Sequence, residues 1–238
     1  MENTEKDIKT IIYTCDRSVN YLEKTLQSLE NYGAKEVTIC QGSDTENNLA
    51  CLDELSLSVD LCKIDWSPYV GKGVRFLAQR NYISALTYHL GNEKYRLILE
   101  DDVKAAPEYL RFLKRYIEIV ENKEKGVPFI LTLYSPYIPL RDYFDVQRIN
   151  IDGFYGLQAC LFSKEICMDF AEFIAERIES EPHDFLIKHF CKSRGINIWA
   201  VSHSLFQHIG AVTTGLGHHH QVGNFLGDEK VRKIVFQN

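Results

Sequence analysis

The chain has 238 residues, 45% of them hydrophobic and 25% charged, with a formal net charge of -6 at pH 7. These values exclude disordered, fibrous and collagen-like classes and suit a folded protein with room for one sizeable core. The acidic balance offers no general attraction to nucleic-acid phosphates or anionic lipid.

Seven cysteines, Cys15, Cys40, Cys51, Cys62, Cys160, Cys167 and Cys191, form an odd set without CxxC spacing. Neither a zinc site nor a closed disulfide framework is indicated, and reduced, mostly buried thiols are expected. Residues 1–7 are charged and lack the apolar stretch of a signal peptide, and no apolar run reaches the roughly 18 residues of a membrane span. A cytoplasmic protein without a membrane span is therefore expected.

Residues 9–14 read as a first strand, followed by the polar turn Cys15-Asp16-Arg17-Ser18. Tyr21, Leu22, Thr25, Leu26 and Leu29 then recur at helical spacing up to the stop Asn31-Tyr32-Gly33. Residues 37–40 form a second strand that ends in the turn Gln41-Gly42-Ser43-Asp44. A short helix over 49–55 and a strand over 59–64 follow. A helix entered through Gly71-Lys72-Gly73, with Phe76, Leu77, Arg80, Asn81 and Ile83, runs to about His89. After Pro107, Tyr109, Leu110, Leu113, Tyr116, Ile117 and Val120 mark a further helix, ended by the solvated residues 121–126. Residues 129–134 are a buried strand, and 135–152 read as irregular structure or short antiparallel strands over a site. Residues 153–162 read as a strand with glycines where something approaches closely. Ser163 is expected to cap a helix through Arg177, Pro182-His183-Asp184 to open another, and 196–201 to form the last clear strand. The alternation predicts an α/β fold with a mixed, mostly parallel sheet and ligands at the strands' carboxyl ends.

The segment Leu97-Ile98-Leu99-Glu100-Asp101-Asp102-Val103 organises the rest. Its aliphatic part is short and continuous, the pattern of a strand buried on both faces. Three carboxylates at the end of such a strand need a compensating cation or a water-filled crevice. A divalent metal would serve. The alternative is that Glu100 and Asp101 face solvent in a loop while Asp102 caps the helix starting near Pro107.

Strands alternating with helices, carboxylates ending a middle strand and a more irregular C-terminal half resemble the GT-A class of nucleotide-sugar glycosyltransferases. In that class an acidic DxD-like motif ends a central strand and holds a divalent metal on the donor diphosphate, and Glu100-Asp101-Asp102 stands at that place. The segment Ser202-His203-Ser204-Leu205-Phe206-Gln207-His208-Ile209-Gly210, continued through Thr213-Thr214 to Gly217, closely resembles the PSLFQHxGxxSSL segment of the N-acetylglucosaminyltransferase IV family. His203 replaces that pattern's proline, and the threonine pair its serines. The resemblance implies one GT-A-like domain over 1–238, with a nucleotide-binding half over about 8–103, an acceptor and catalytic half over about 104–217, and a tail over 218–238. It implies an inverting hexosyltransferase that uses Mn2+ or Mg2+ and moves a sugar, N-acetylglucosamine or another hexose, from a UDP-sugar to a hydroxyl. The family's glycan acceptor is not carried over with it, because the short chain, free cysteines and lack of a membrane span depart from the secretory enzymes; a glycan, a lipid-linked sugar, a protein or a modified nucleobase is equally compatible, as is a homodimer.

By the same resemblance Asp102 binds the metal and His208 completes its shell or binds the diphosphate directly, while Asp101 and Glu100 contact the ribose or donor sugar; the plainer reading of His208 is a core histidine. Thr14, Asp16, Arg17 and Asp44 contact the nucleotide, Arg80 of Gln79-Arg80-Asn81 the diphosphate, and Thr213 and Thr214 lie near the phosphates. Residues 153–158, with Gly156, lie beneath the donor sugar. Asp184, at the start of a helix, is the general base, with Glu181 and His183 as alternatives. Each residue also has a plainer reading: Asp16 and Asp184 as helix caps, Asp44 as a turn residue, Arg80 as one half of a surface ion pair. His218-His219-His220 cannot all face one ion on an extended chain, and a loop closing over the donor on Gly215, Gly217 and Gly223 is expected. Two rivals remain: a sugar-nucleotide nucleotidyltransferase, which would carry a Gly-rich, lysine-bearing loop where Thr14-Cys15-Asp16-Arg17 stands, and a non-catalytic nucleotide-sugar or glycan-binding module.

Overall fold

The structure, a computed structural model, describes residues 7–14, 19–42, 49–136, 138–139, 141, 143–154, 156–211 and 221–236. The chain runs β1 (Ile8–Tyr13), α1 (Tyr21–Asn31), β2 (Glu36–Cys40), β3 (Ser58–Cys62), α2 (Val74–Thr87) and β4 (Tyr95–Glu100). It continues with β5 (Val103–Ala105), α3 (Tyr109–Glu124), β6 (Phe129–Thr132), β7 (Val146–Arg148), β8 (Ala159–Ser163), α4 (Cys167–Ala175) and α5 (His183–Arg194). β9 (Asn197–Val201), β10 (Phe206–His208) and α6 (Glu229–Phe236) complete it. Among the described residues, eight strands form one sheet in the order β3-β2-β1-β4-β8-β6-β9-β7, and β5 and β10 make a separate antiparallel ribbon. β8 runs against both its neighbours and β7 against β9, whereas the remaining pairs are parallel. The sheet is thus mixed and mostly parallel.

β4 is buried on both faces because side chains alternate along a strand and helices cover each side. Leu97 and Leu99 join a core with Leu26 of α1 and Leu113 of α3, while Ile98 joins Tyr82, Phe170 and Phe190 of α2, α4 and α5 on the other face. Each such side chain contributes roughly 1.5–3 kcal/mol of burial. The strand's charged residue Arg96 is fully buried and tolerated because every donor it carries is answered. Glu93 pairs with it at 2.9 Å, and the carbonyls of Ala85, Leu86 and Tyr88 accept from its guanidinium. This ties the start of β4 to the end of α2. α1 begins where Asn20 Oδ1 accepts from the Glu23 N–H at 3.2 Å and ends before Gly33, whose φ of +98° suits glycine.

Several local expectations are corrected. Ser163 is the N-cap of a 3-10 turn over Lys164–Ile166 that precedes α4, but its hydroxyl makes no capping bond and accepts from the Phe129 N–H at 3.0 Å instead. Residues 153–158 are not strand, since a 3-10 turn over Ile151–Gly153 and a left-handed Gly156 (φ +92°) break the extended chain. The antiparallel strand in 135–152 is β7, which closes the sheet's edge rather than lying over β4. β5, β10 and α6 have no counterpart in the sequence reading, the first two because three residues show no period. Among the described residues, no helix is long and apolar enough to cross a membrane.

Candidate functional site

β4 ends at Glu100, and a tight turn through Asp101 and Asp102 feeds β5. The ribbon pairs Val103 with His208, the Ile209 N–H donates to the Asp102 carbonyl at 2.8 Å, and His208 Nε2 lies 3.0 Å from Asp102 Oδ2. One ligand atom each from Glu100, Asp102 and His208 falls within 4.8 Å of the others. Asp102 and His208 are buried and Glu100 half-buried. Two carboxylates and an imidazole suit a divalent cation such as Mn2+, and their gathering at a strand's carboxyl end fits the group that the sequence implies. Glu100, expected at the ribose or donor sugar, stands with Asp102 and His208, whereas Asp101 lies outside the group. Asp101 is buried, and its carbonyl accepts from Thr25 Oγ1 at 2.7 Å, fastening the turn to α1. The capping alternative for Asp102 is not met: α3 starts at Tyr109 with Glu108 as its N-cap.

A second group shares a face of the sheet with Glu100. Tyr13 stands beside Glu100 in the β1–β4 register and donates its hydroxyl to Glu100 Oε1 at 2.9 Å. Its ring meets Tyr82 of α2 edge-on at 5.1 Å, and Tyr82 stacks on His183, the first residue of α5, at 4.6 Å. His183 Nε2 lies 3.7 Å from Asp184 Oδ1. Burial, reinforced by the charges of Glu100, Tyr82 and Asp184, holds the Tyr13 phenol well above its ordinary value. Burial lowers the His183 imidazole against the pull of Asp184, so the ring is neutral near pH 7. Asp184 sits in the first turn of α5, where the helix dipole favours a carboxylate, and its side chain is 33% exposed. The N-cap is Pro182, so Asp184 is not the cap. Gln79 fixes the approach to this turn, donating to the Glu181 carbonyl and accepting from the Glu179 N–H.

The other expected residues divide. Thr14 is buried, its hydroxyl accepting from the Gly42 N–H at 3.0 Å, so its side chain shapes the turn after β2. Asn81 donates to the carbonyls of Thr14 and Cys40, docking α2 on the ends of β1 and β2. Next to it, Arg80 is half-buried with its guanidinium 5.5 Å from the Tyr69 ring centroid. Among the described residues it has no carboxylate partner, so the surface-pair reading is not met. Gly156 lies two residues before Gln158, whose carbonyl accepts from the Glu100 N–H at 2.9 Å. Asp16, Arg17, Asp44, Thr213, Thr214 and the histidine triple lie outside the described residues. The sequence reading gave no part to Tyr13 or Gln79. Their positions, last in a strand and beside Arg80, are the only signals that pointed to them.

No protein-family model matches the chain, and no curated protein matches it. Among solved structures, 4-diphosphocytidyl-2C-methyl-D-erythritol synthase from Anaerococcus prevotii is similar with a TM-score of 0.51 at 15% identity, over 85% of this chain and 90% of that one. A nucleotidyl transferase from Methanothermobacter thermautotrophicus gives 0.50 at 10% identity, over 81% and 85%. Residues 1–349 of Staphylococcus aureus TarS give 0.51 at 13% identity, over 84% of this chain and 59% of that one. At such identities the likeness is one of fold: a GT-A-like, Rossmann-like sheet flanked by helices, as the sequence predicts.

Proposed function

We propose that the chain is a metal-dependent, inverting glycosyltransferase that moves a hexose from a UDP-sugar to a hydroxyl acceptor. N-acetylglucosamine is the sugar that the Ser202–Gly210 resemblance favours. The observation that carries the reading is the convergence of Glu100, Asp102 and His208, from segments 106 residues apart, at the carboxyl end of a central strand. A cation bound there would neutralise the charge that gathers on a departing diphosphate. Arg80, beside the Tyr69 ring and without an acidic partner among the described residues, supplies a fork of donors to the same phosphates. Asp184 takes the acceptor's proton from its place in the first turn of α5, and Gln79 fixes the residues that lead into that turn. In this reading residues 8–103 serve the nucleotide and 104–217 the acceptor.

The test is release of UDP from UDP-N-acetylglucosamine with and without Mn2+. The reading expects hydrolysis that needs the metal and is lost in Asp102→Ala. Turnover indifferent to both chelator and that substitution would remove the metal from it.

A second reading draws on the fold likeness to the Anaerococcus synthase and the Methanothermobacter nucleotidyl transferase. Here the same acidic group would serve a nucleoside triphosphate and a sugar phosphate would attack it. Release of pyrophosphate rather than of a nucleoside diphosphate distinguishes the two. Thr14-Cys15-Asp16-Arg17, which is neither Gly-rich nor lysine-bearing, weighs against it.

A further inference from the structure

The backbone of Glu100 is fixed on both sides. β1 lies parallel to β4 with Tyr13 beside Glu100, and on the other side the Glu100 N–H donates to the Gln158 carbonyl at 2.9 Å. Strand pairing does not fix the side chain, because a glutamate keeps three rotatable bonds beyond the backbone. Asp102 and His208 are brought together by other means, the tight turn after β4 and the pairing of β5 with β10. Glu100 joins them only if its carboxylate is turned their way.

Tyr13 supplies a fixed point for that carboxylate. Its ring is buried, meets Tyr82 edge-on with centroids 5.1 Å apart and meets His183 edge-on at 6.3 Å. A tyrosine has two side-chain torsions ahead of a rigid ring, so packing the ring also places the hydroxyl. That hydroxyl donates to Glu100 Oε1 at 2.9 Å.

A donor of this kind orients a carboxylate without competing for it. A phenol is uncharged at neutral pH and occupies one lone pair of Oε1, leaving the negative charge and the other oxygen's lone pairs for a cation. A lysine or arginine in its place would neutralise the charge that the cation needs.

Resting on the metal-dependent reading, we propose that Tyr13 is a positioning residue whose hydroxyl holds the Glu100 carboxylate in the group with Asp102 and His208. The three ligand atoms then stand within 4.8 Å of one another before a cation arrives. Binding is relieved of the entropy cost of ordering Glu100.

The experiment is a Mn2+ titration read by electron paramagnetic resonance, which reports free Mn2+ and needs no turnover. It compares the wild type, Tyr13→Phe, Glu100→Ala and the double variant, each checked for folding by circular dichroism. Tyr13→Phe keeps the ring and removes the hydroxyl, and it is expected to weaken Mn2+ binding about tenfold, as loss of a hydrogen-bond partner behind a metal ligand does. In the Glu100→Ala background the same change is expected to alter the affinity less than twofold, because the group that the hydroxyl orients is gone. 4-Aminophenylalanine at position 13 restores a donor on the same ring and is expected to bring the affinity back to within about threefold of the wild type. It also stands in for Tyr13→Phe if that variant does not fold, and a tenfold loss in it would then count against the proposal. An affinity of Tyr13→Phe unchanged within twofold, or an equal loss in the Glu100→Ala background, overturns the assignment. A wild-type chain that binds no Mn2+ overturns the metal-dependent reading and this assignment with it.

Discussion

Asp184 and His183 are chain neighbours with opposite chemical settings. Asp184 is partly exposed at a helix start, and His183 stacks on Tyr82 with Tyr13 edge-on to it. If Asp184 is the base, Asp184→Asn lowers kcat for sugar transfer by roughly 100- to 10,000-fold while the Kd for UDP-N-acetylglucosamine stays as it was. His183 carries a separate expectation about stability. Burial lowers its pKa in the folded chain below the ordinary 6.5, so as pH falls the unfolded chain takes up the proton first. The stabilisation is complete above about 6.5 and is lost as pH falls through that value towards the folded-state one. His183→Phe keeps the ring stack and removes this contribution. Its urea midpoint should therefore fall less than the wild type's between pH 7.5 and 5.5. The carboxylate run was legible because three acids after an aliphatic run are conspicuous. Tyr13 was not, because its bond to Glu100 exists only through the register of two strands 87 residues apart.

At the scale of elements, the longer strands and helices followed from period and punctuation, within a few residues at each end except at the start of β8, which lies six residues later than expected. Two of the three three-residue strands, β5 and β10, did not, and they are the ones that bring His208 to Asp102. β10 brings His208 onto Asp102 by pairing with β5, and the Ile209 N–H closes the ribbon on the Asp102 carbonyl. Ile209→Pro removes that donor and should cost about 1 kcal/mol or somewhat more in overall stability. Its larger expected effect is local: the thermal shift given by Mn2+ should fall by more than half, as differential scanning fluorimetry would read it. A full Mn2+ shift in this variant would show that the ribbon does not hold His208 in the group. Gln79 teaches the same lesson, since a glutamine in a helix has no visible target until the loop before α5 folds back onto it.

For the whole molecule, a cation held by Glu100, Asp102 and His208, as proposed, would bind only the folded chain, because those groups are distant in the unfolded one. At about 100 times its Kd it adds about 2.7 kcal/mol, which for a chain of this length raises Tm by about 5–10 °C. Mn2+ should produce this shift in the wild type and almost none in Asp102→Ala, and a chelator should abolish it. The sequence by itself determined the α/β class, the mostly parallel sheet, β4 as its buried centre and the acidic turn at its end. Those follow from hydrophobic periodicity and from the rarity of clustered carboxylates beside a core strand, which are local properties of the chain. Only the tertiary structure decided that Glu100 rather than Asp101 joins Asp102 and His208, that Thr14 faces inward, and that Gln158 stands beside Glu100. Those depend on which strands become neighbours and in what register, and a shift of one residue sends every side chain to the opposite face.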